Sequence, residues 1–129
     1  MPDNVQTLRN IDEAQRKGDL DAFFSNFTDD VKIHASGNNK LAGEYQGKDQ
    51  LRELFGRYME AAGENYTFES HAHLADDEHG VSLQTSHYQR GGERLDQQEA
   101  FVVHFRDGKV SEMWFLAYDT AAFDRWVGN

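Results

Sequence analysis

The stretch VVHFRDGKVSEMWFLAYD, residues 102–119, reads as two half-apolar strands joined at Asp107-Gly108, a dipeptide suited to tight hairpins. Working back from it, the same period of two runs through Tyr66–Leu74, Gly80–Gln89 and Arg94–Phe105, with Lys109–Tyr118 as the last strand. The connections DDEHG, RGGE and DG are all turn chemistry. The C-terminal half is therefore expected to be an antiparallel meander. A short helix, Thr120 to Trp126, closes it.

The N-terminal half has the other period. Val5, Leu8, Ile11 and Ala14 give one apolar stripe over Asn4–Lys17, stopped at Gly18. Asp19 can cap a second helix on which Leu20, Phe23, Phe24 and Phe27 share a face. TDD then turns the chain into a short strand, VKIHAS, and GNNKLAGEYQG reads as a loop. A third helix spans about Lys48 to Ala62, ended by Gly63. Gly56 within it costs about 1 kcal/mol against Ala, which suggests close packing there. The order predicts an α+β fold with helices against one face of a curved sheet, in a single domain of 129 residues.

Composition narrows the functions. The formal net charge is −10 and the basic residues are scattered, a surface that repels phosphate backbones and anionic lipid. Nucleic acid and membrane partners are not expected. No apolar run is long enough for a membrane helix, and the first ten residues lack a signal-peptide pattern, so a cytoplasmic protein is expected. With no cysteine there is no disulfide, thiolate ligand or cysteine nucleophile. No nucleophile elbow, phosphate loop or dinucleotide fingerprint is present, and no cofactor is expected. His71 and His73 in HAH fall on one strand face by simple alternation. They are read as surface or interface groups, and no metal site is expected.

The stretches GDLDAFFSNFTDDVKIHASG, LAGEYQGKDQLRELF and FRDGKVSEMW together resemble the SnoaL-like and ketosteroid-isomerase-like proteins of the nuclear transport factor superfamily. The resemblance covers about Asn4 to Trp126. It implies a cone: a strongly curved, mostly antiparallel sheet wrapped around three N-terminal helices, plus a short C-terminal helix. A pocket opens between them, and a homodimer forms through the outer sheet face. Family activities run from isomerases and cyclases to hydratases and proteins that only bind, so each position is checked singly. Where ketosteroid isomerases carry a general-base Asp, an oxyanion Tyr and a protonated Asp, this sequence has Ala35, Ile11 and Val103. Where SnoaL-type cyclases carry an Asp after the late tryptophan, Phe115 follows Trp114. The Asp-Arg-Asp arrangement of limonene-epoxide-hydrolase-like members has no match. His34 does match a histidine of the DDV-x-x-H strand.

The alignment puts Val103 on the pocket side, and alternation adds Phe101, Phe105 and Glu99. If Gly91-Gly92 is a two-residue turn, Gln84 lies opposite Glu99. A two-residue turn at Asp107-Gly108 brings Trp114 and Glu112 inward. A three-residue loop with a bulge at Gly108 brings in Met113, Phe115 and Ala117, and the family alignment favours this second register. His104 and Trp114 then lie outside, under a dimer partner.

Glu99, if desolvated beside Phe101 and Val103, is the expected acid or base, the alternative being a strand-end carboxylate that reaches solvent or pairs with Arg94. His34 is the expected relay, or else bonds a carbonyl of the SGNN loop. Tyr58, Gln84, Phe101, Val103, Met113, Phe115 and Asp119 are the expected ligand contacts, although Asp119 is also placed to cap the last helix. The function expected is a cofactor-independent isomerase, cyclase or hydratase/dehydratase acting on a small apolar organic molecule. The alternatives are a non-catalytic binding protein and a dimeric interaction module with a filled pocket.

Overall fold

A computed structural model describes residues 3–129. Helix α1, Asn4–Lys17, starts where the Asp3 carboxylate accepts from the Gln6 amide and stops where Gly18 turns left-handed at φ 70°. Helix α2, Leu20–Phe24, is capped by Asp19 but lasts only five residues. The side chains of Ser25 and Asn26 both donate to the Ala22 carbonyl oxygen, which ends the helix. Phe27, expected on that helix, instead opens strand β1, Phe27–Ala35, and is still buried, against Phe23.

The GNNKLAGEYQG segment is only partly a loop. Gly43–Gln46 forms a short strand β2 that pairs antiparallel with β1, Ile33 opposite Tyr45. Helix α3, Lys48–Ala62, follows, and then strands β3 (Thr67–Ala75), β4 (His79–Arg90), β5 (Glu93–Arg106) and β6 (Lys109–Ala117). Helix α4, Thr120–Val127, closes the chain. Two strands thus separate α2 from α3, so the helices are not one N-terminal block. The sheet order is β2-β1-β6-β5-β4-β3. Every pairing is antiparallel except β1 with β6, where the first strand lies parallel to the last. The fold is α+β, and among the described residues no helix is long and apolar enough to cross a membrane.

Two turns and two bulges set which side chains face the helices. Gly91-Gly92 is a two-residue turn with both φ positive, and Gln84 does pair with Glu99. Asp107-Gly108 is also a two-residue turn, φ 53° and 79°. That alone would send Trp114 inward. A bulge intervenes: His104 pairs with Glu112 and Phe105 with Val110, leaving Ser111 unpaired. Met113 and Phe115 therefore face the helices, while Glu112 and Trp114 face away. The side expected was right, but the device is a bulge within β6 and not a longer turn.

A second bulge lies in β3. Ser70 pairs with Gln84, Ala72 with Leu83 and His73 with Ser82, so His71 is the extra residue. The parity of HAH breaks there. His71 bonds to Thr85 on the outer face, while His73 turns under the helices. Gly56 differs from expectation as well: a Cβ there would meet nothing, and the residue is exposed.

Candidate functional site

A cavity of about 130 Å³ lies between the helices and the inner sheet face. Tyr58, Gln84, Phe101, Val103, Met113 and Phe115, all expected ligand contacts, are in its wall. The wall is almost entirely apolar carbon; two polar poles in it are each built around a carboxylate, and Ser36 and Asn39 lie apart from both.

The first pole is built around Glu99, which is 4% exposed. Its Oε1 accepts from Ser86 Oγ at 2.6 Å and Gln84 Nε2 at 3.0 Å, and its Oε2 accepts from the Tyr88 hydroxyl. A second layer of hydroxyls feeds these: Tyr58 meets Tyr88 at 2.8 Å, and Tyr66 meets Ser86 at 2.9 Å. Burial pushes the Glu99 carboxyl above the usual carboxylate range, opposed by the bonds from Ser86, Tyr88 and Gln84. Burial, and then the nearby Glu99 charge, pushes Tyr66 up to about 12 and Tyr58 and Tyr88 well above the ordinary phenol value. Glu99 itself is not part of the cavity wall. Gln84 directly, and Tyr58 through Tyr88, join it to that wall.

The second pole joins α1 to β3 and β4. His73 Nε2 lies 3.1 Å from Asp12 Oδ2, and His73 Nδ1 lies 2.8 Å from Ser82 Oγ. All three residues are in the cavity wall. Arg16 holds the other Asp12 oxygen at 2.8 Å, one helical turn on. A carboxylate only accepts, so Nε2 carries a hydrogen, and in the neutral imidazole Nδ1 offers its lone pair to the serine hydroxyl. Sequence reasoning missed this group, because alternation without the His71 bulge gives His73 no reason to turn inward. The available signal was Asp12 on the inner stripe of α1, one turn before Arg16.

Two expected site residues are elsewhere. His34 is on the outer face, stacked on Trp114 with ring centres 4.8 Å apart, its Nε2 2.6 Å from Glu112 and its Nδ1 bonded to Glu44. It alternates with Ile33 and Ala35, which take the cavity side, and so cannot relay protons there. The Asp119 carboxylate accepts from the Ala122 amide as the α4 cap, and Gln97 clamps the Asp119 backbone at 2.7 and 3.0 Å. It does not reach the cavity. Among the described residues no three His, Cys, Asp or Glu side chains gather in a way that would hold a metal ion.

The family model for the SnoaL-like domain matches residues 8–113. The chain belongs to the SnoaL-like family. One relative is an uncharacterized protein of Mycobacterium tuberculosis, 27% identical over 120 residues that cover 92% of each chain. Bal32a, from a soil-derived mobile gene cassette, is 26% identical with a TM-score of 0.88, covering 96% of this chain and 95% of its own. TerC, solved in co-crystals with polyporic acid, shares the fold at a TM-score of 0.83 and 17% identity, covering 96% and 97%.

Proposed function

We propose that this SnoaL-like protein is a cofactor-independent enzyme that moves a proton on a small apolar organic molecule, in an isomerisation, cyclisation or hydration/dehydration. One observation carries this reading: an imidazole oriented by a carboxylate lies in the wall of an apolar cavity, with a second, buried carboxyl behind the wall residue Gln84. His73 is the base. The substrate gives a proton to Ser82 Oγ as the serine proton passes to His73 Nδ1, and Asp12 stabilises the imidazolium. The proton then returns to a different substrate atom, or a leaving group departs, while Tyr58 and Gln84 hold the substrate oxygen. Glu99 acts behind them and sets their polarity. The relay expected of His34 passes to His73.

The test is proton exchange in deuterated water. A panel of cyclic ketones, alcohols and enols is incubated with the protein, and carbon-bound deuterium is read by NMR. Exchange on at least one compound, lost in His73→Ala and reduced in Asp12→Asn, is the expected result. If compounds bind and none exchanges, the protein is a non-catalytic binder and the proposal falls. That TerC was crystallised with polyporic acid supports an organic ligand in this fold.

The partner expected at the outer sheet face is a second copy of the chain. Leu83 and Leu116 are 39% and 45% exposed on that face, beside Val102, Ala100 and Trp114, an apolar area that a monomer leaves wet.

A further inference from the structure

The hydroxyls around Glu99 form a chain with a direction. An ionised carboxylate can only accept, so Ser86 and Tyr88 spend their hydrogens on it. Tyr88, having spent its proton, can only accept from Tyr58 at 2.8 Å, and Ser86 likewise accepts from Tyr66 at 2.9 Å, the shorter of two hydroxyl contacts of Tyr66, which also lies 3.3 Å from Tyr58 Oη. The Gln84 amide hydrogens go to Glu99 Oε1 and to Ser86 Oγ, at 3.0 and 3.1 Å, which also fixes which end of that amide is nitrogen. Every donor of this pole is consumed inward. What remains for the cavity is two lone-pair oxygens: Tyr58 Oη, and Gln84 Oε1, which no protein donor meets.

We propose that this pole makes the cavity selective for a single-ring molecule with a hydroxyl hydrogen to give, a phenol or a cyclic enol, whose O–H is received by Tyr58 Oη and Gln84 Oε1. This rests on the small-molecule reading above and deepens it by naming the ligand class. Size agrees: an apolar cavity of about 150 Å³ takes benzene, and this one is about 130 Å³. Ser82 and Gln84 are two residues apart on one face of β4, about 7 Å. A ring that fits the space spans from the acceptor pole to the serine that His73 serves. The chain can also carry protons along the direction in which it donates. When the ligand O–H gives its proton to Tyr58, Tyr58 passes its own to Tyr88 and Tyr88 passes its own to Glu99. Glu99 then becomes the neutral acid and the ligand the oxyanion. Three protons move and none is lost.

Glu99→Gln distinguishes this from simple packing. An amide nitrogen at the Oε2 position donates to Tyr88, which reverses the chain and turns the Tyr58 proton toward the cavity. The experiment is calorimetric titration of the full-length protein with phenol, anisole and toluene. Wild type is expected to bind phenol about fivefold or more tighter than anisole or toluene, the size of one net hydrogen bond. In Glu99→Gln the preference over anisole shrinks toward unity, as anisole gains a donor and phenol loses an acceptor. Should that variant fail to fold, Gln84→Leu serves instead, with the preference for phenol over toluene expected to shrink as one of its two acceptors is lost. Equal binding of phenol and anisole by wild type, or a preference unchanged in the variants, overturns the inference and leaves the apolar-cavity reading standing. If none of the three probes binds, the cavity reading falls too.

Discussion

Gln84 and Glu99 stand directly opposite one another on β4 and β5, and the amide donates to the carboxylate at 3.0 Å in a site where both residues are buried. A buried carboxyl survives in a core only when donors replace its lost water. Here Ser86 and Tyr88 complete that shell.

Tyr88→Phe tests how much the shell holds. The variant is expected to lose about 1.5–3 kcal/mol, the range for a hydrogen bond to a charged group. It also removes a bond that opposes the upward shift of Glu99, so that shift grows. The sign follows from linkage. A carboxyl raised in the folded state is protonated there while the unfolded chain has already lost its proton. Stability therefore falls as pH rises from the unfolded value through the folded one. Urea denaturation should show a larger loss for Tyr88→Phe at pH 8 than at pH 5. An identical loss at both would mean that the tyrosine only fills space.

Gly56 and Gly63 lie on and just after the same helix, and the same substitution is expected to act in opposite directions. Gly56 is exposed, and a Cβ there meets nothing, so Gly56→Ala should stabilise by about 1 kcal/mol through helix propensity. Gly63 has φ +98°, and a Cβ would fall 1.9 Å from the Gln89 carbonyl oxygen. Gly63→Ala is expected to cost well over 1 kcal/mol. Thermal melts of the two variants decide this, and a stable Gly63→Ala protein would contradict the packing at that corner.

What was legible in the sequence follows from how far each signal extends. Helices α1 and α3 announced themselves through three or four turns of stripe and terminal glycines, and both bounds hold. The hairpin at Gly91-Gly92 fixed Gln84 opposite Glu99, because turn chemistry and alternation agree over a dozen residues. β2 has only four residues, the first a glycine, too few for a period to show. The two bulges were not legible in position, since neither Ser111 nor His71 is a residue that bulges require. Each inverts a face. The Ser111 bulge sends Met113 inward, which the family alignment had caught by another route. The His71 bulge brings His73 to Asp12, which nothing local foretold.

His34 bears on stability and not on the cavity. Its bond to Glu112, the largest effect, raises its pKa above the ordinary imidazole value; burial opposes this, and Glu44 adds to it. His87 is raised in the same way by Asp96 and then Glu69. For a raised histidine the contribution is complete below the unfolded value, about 6.5, and is lost as pH rises through the folded one. Unfolding free energy is therefore expected to decline above about pH 6.5. The decline should be shallower in His34→Asn and shallower again in His34→Asn/His87→Asn. A slope unchanged in the double variant would refute these assignments.

The second copy proposed for the outer face makes the last prediction, and parity makes it clean. Leu116 is next to Phe115 in β6, so one points to the outer face and the other into the cavity. Leu116→Lys should therefore break a dimer through desolvation of a charge without touching the ligand space. Sedimentation equilibrium is expected to give twice the chain mass for wild type and the single chain mass for the variant, with phenol binding intact in both. Trp114, packed between His34 and His104, supplies a second reading: its fluorescence should shift red as water reaches the freed face. Wild type at monomer mass over the whole concentration range would remove the dimer and leave the apolar outer face for a different partner.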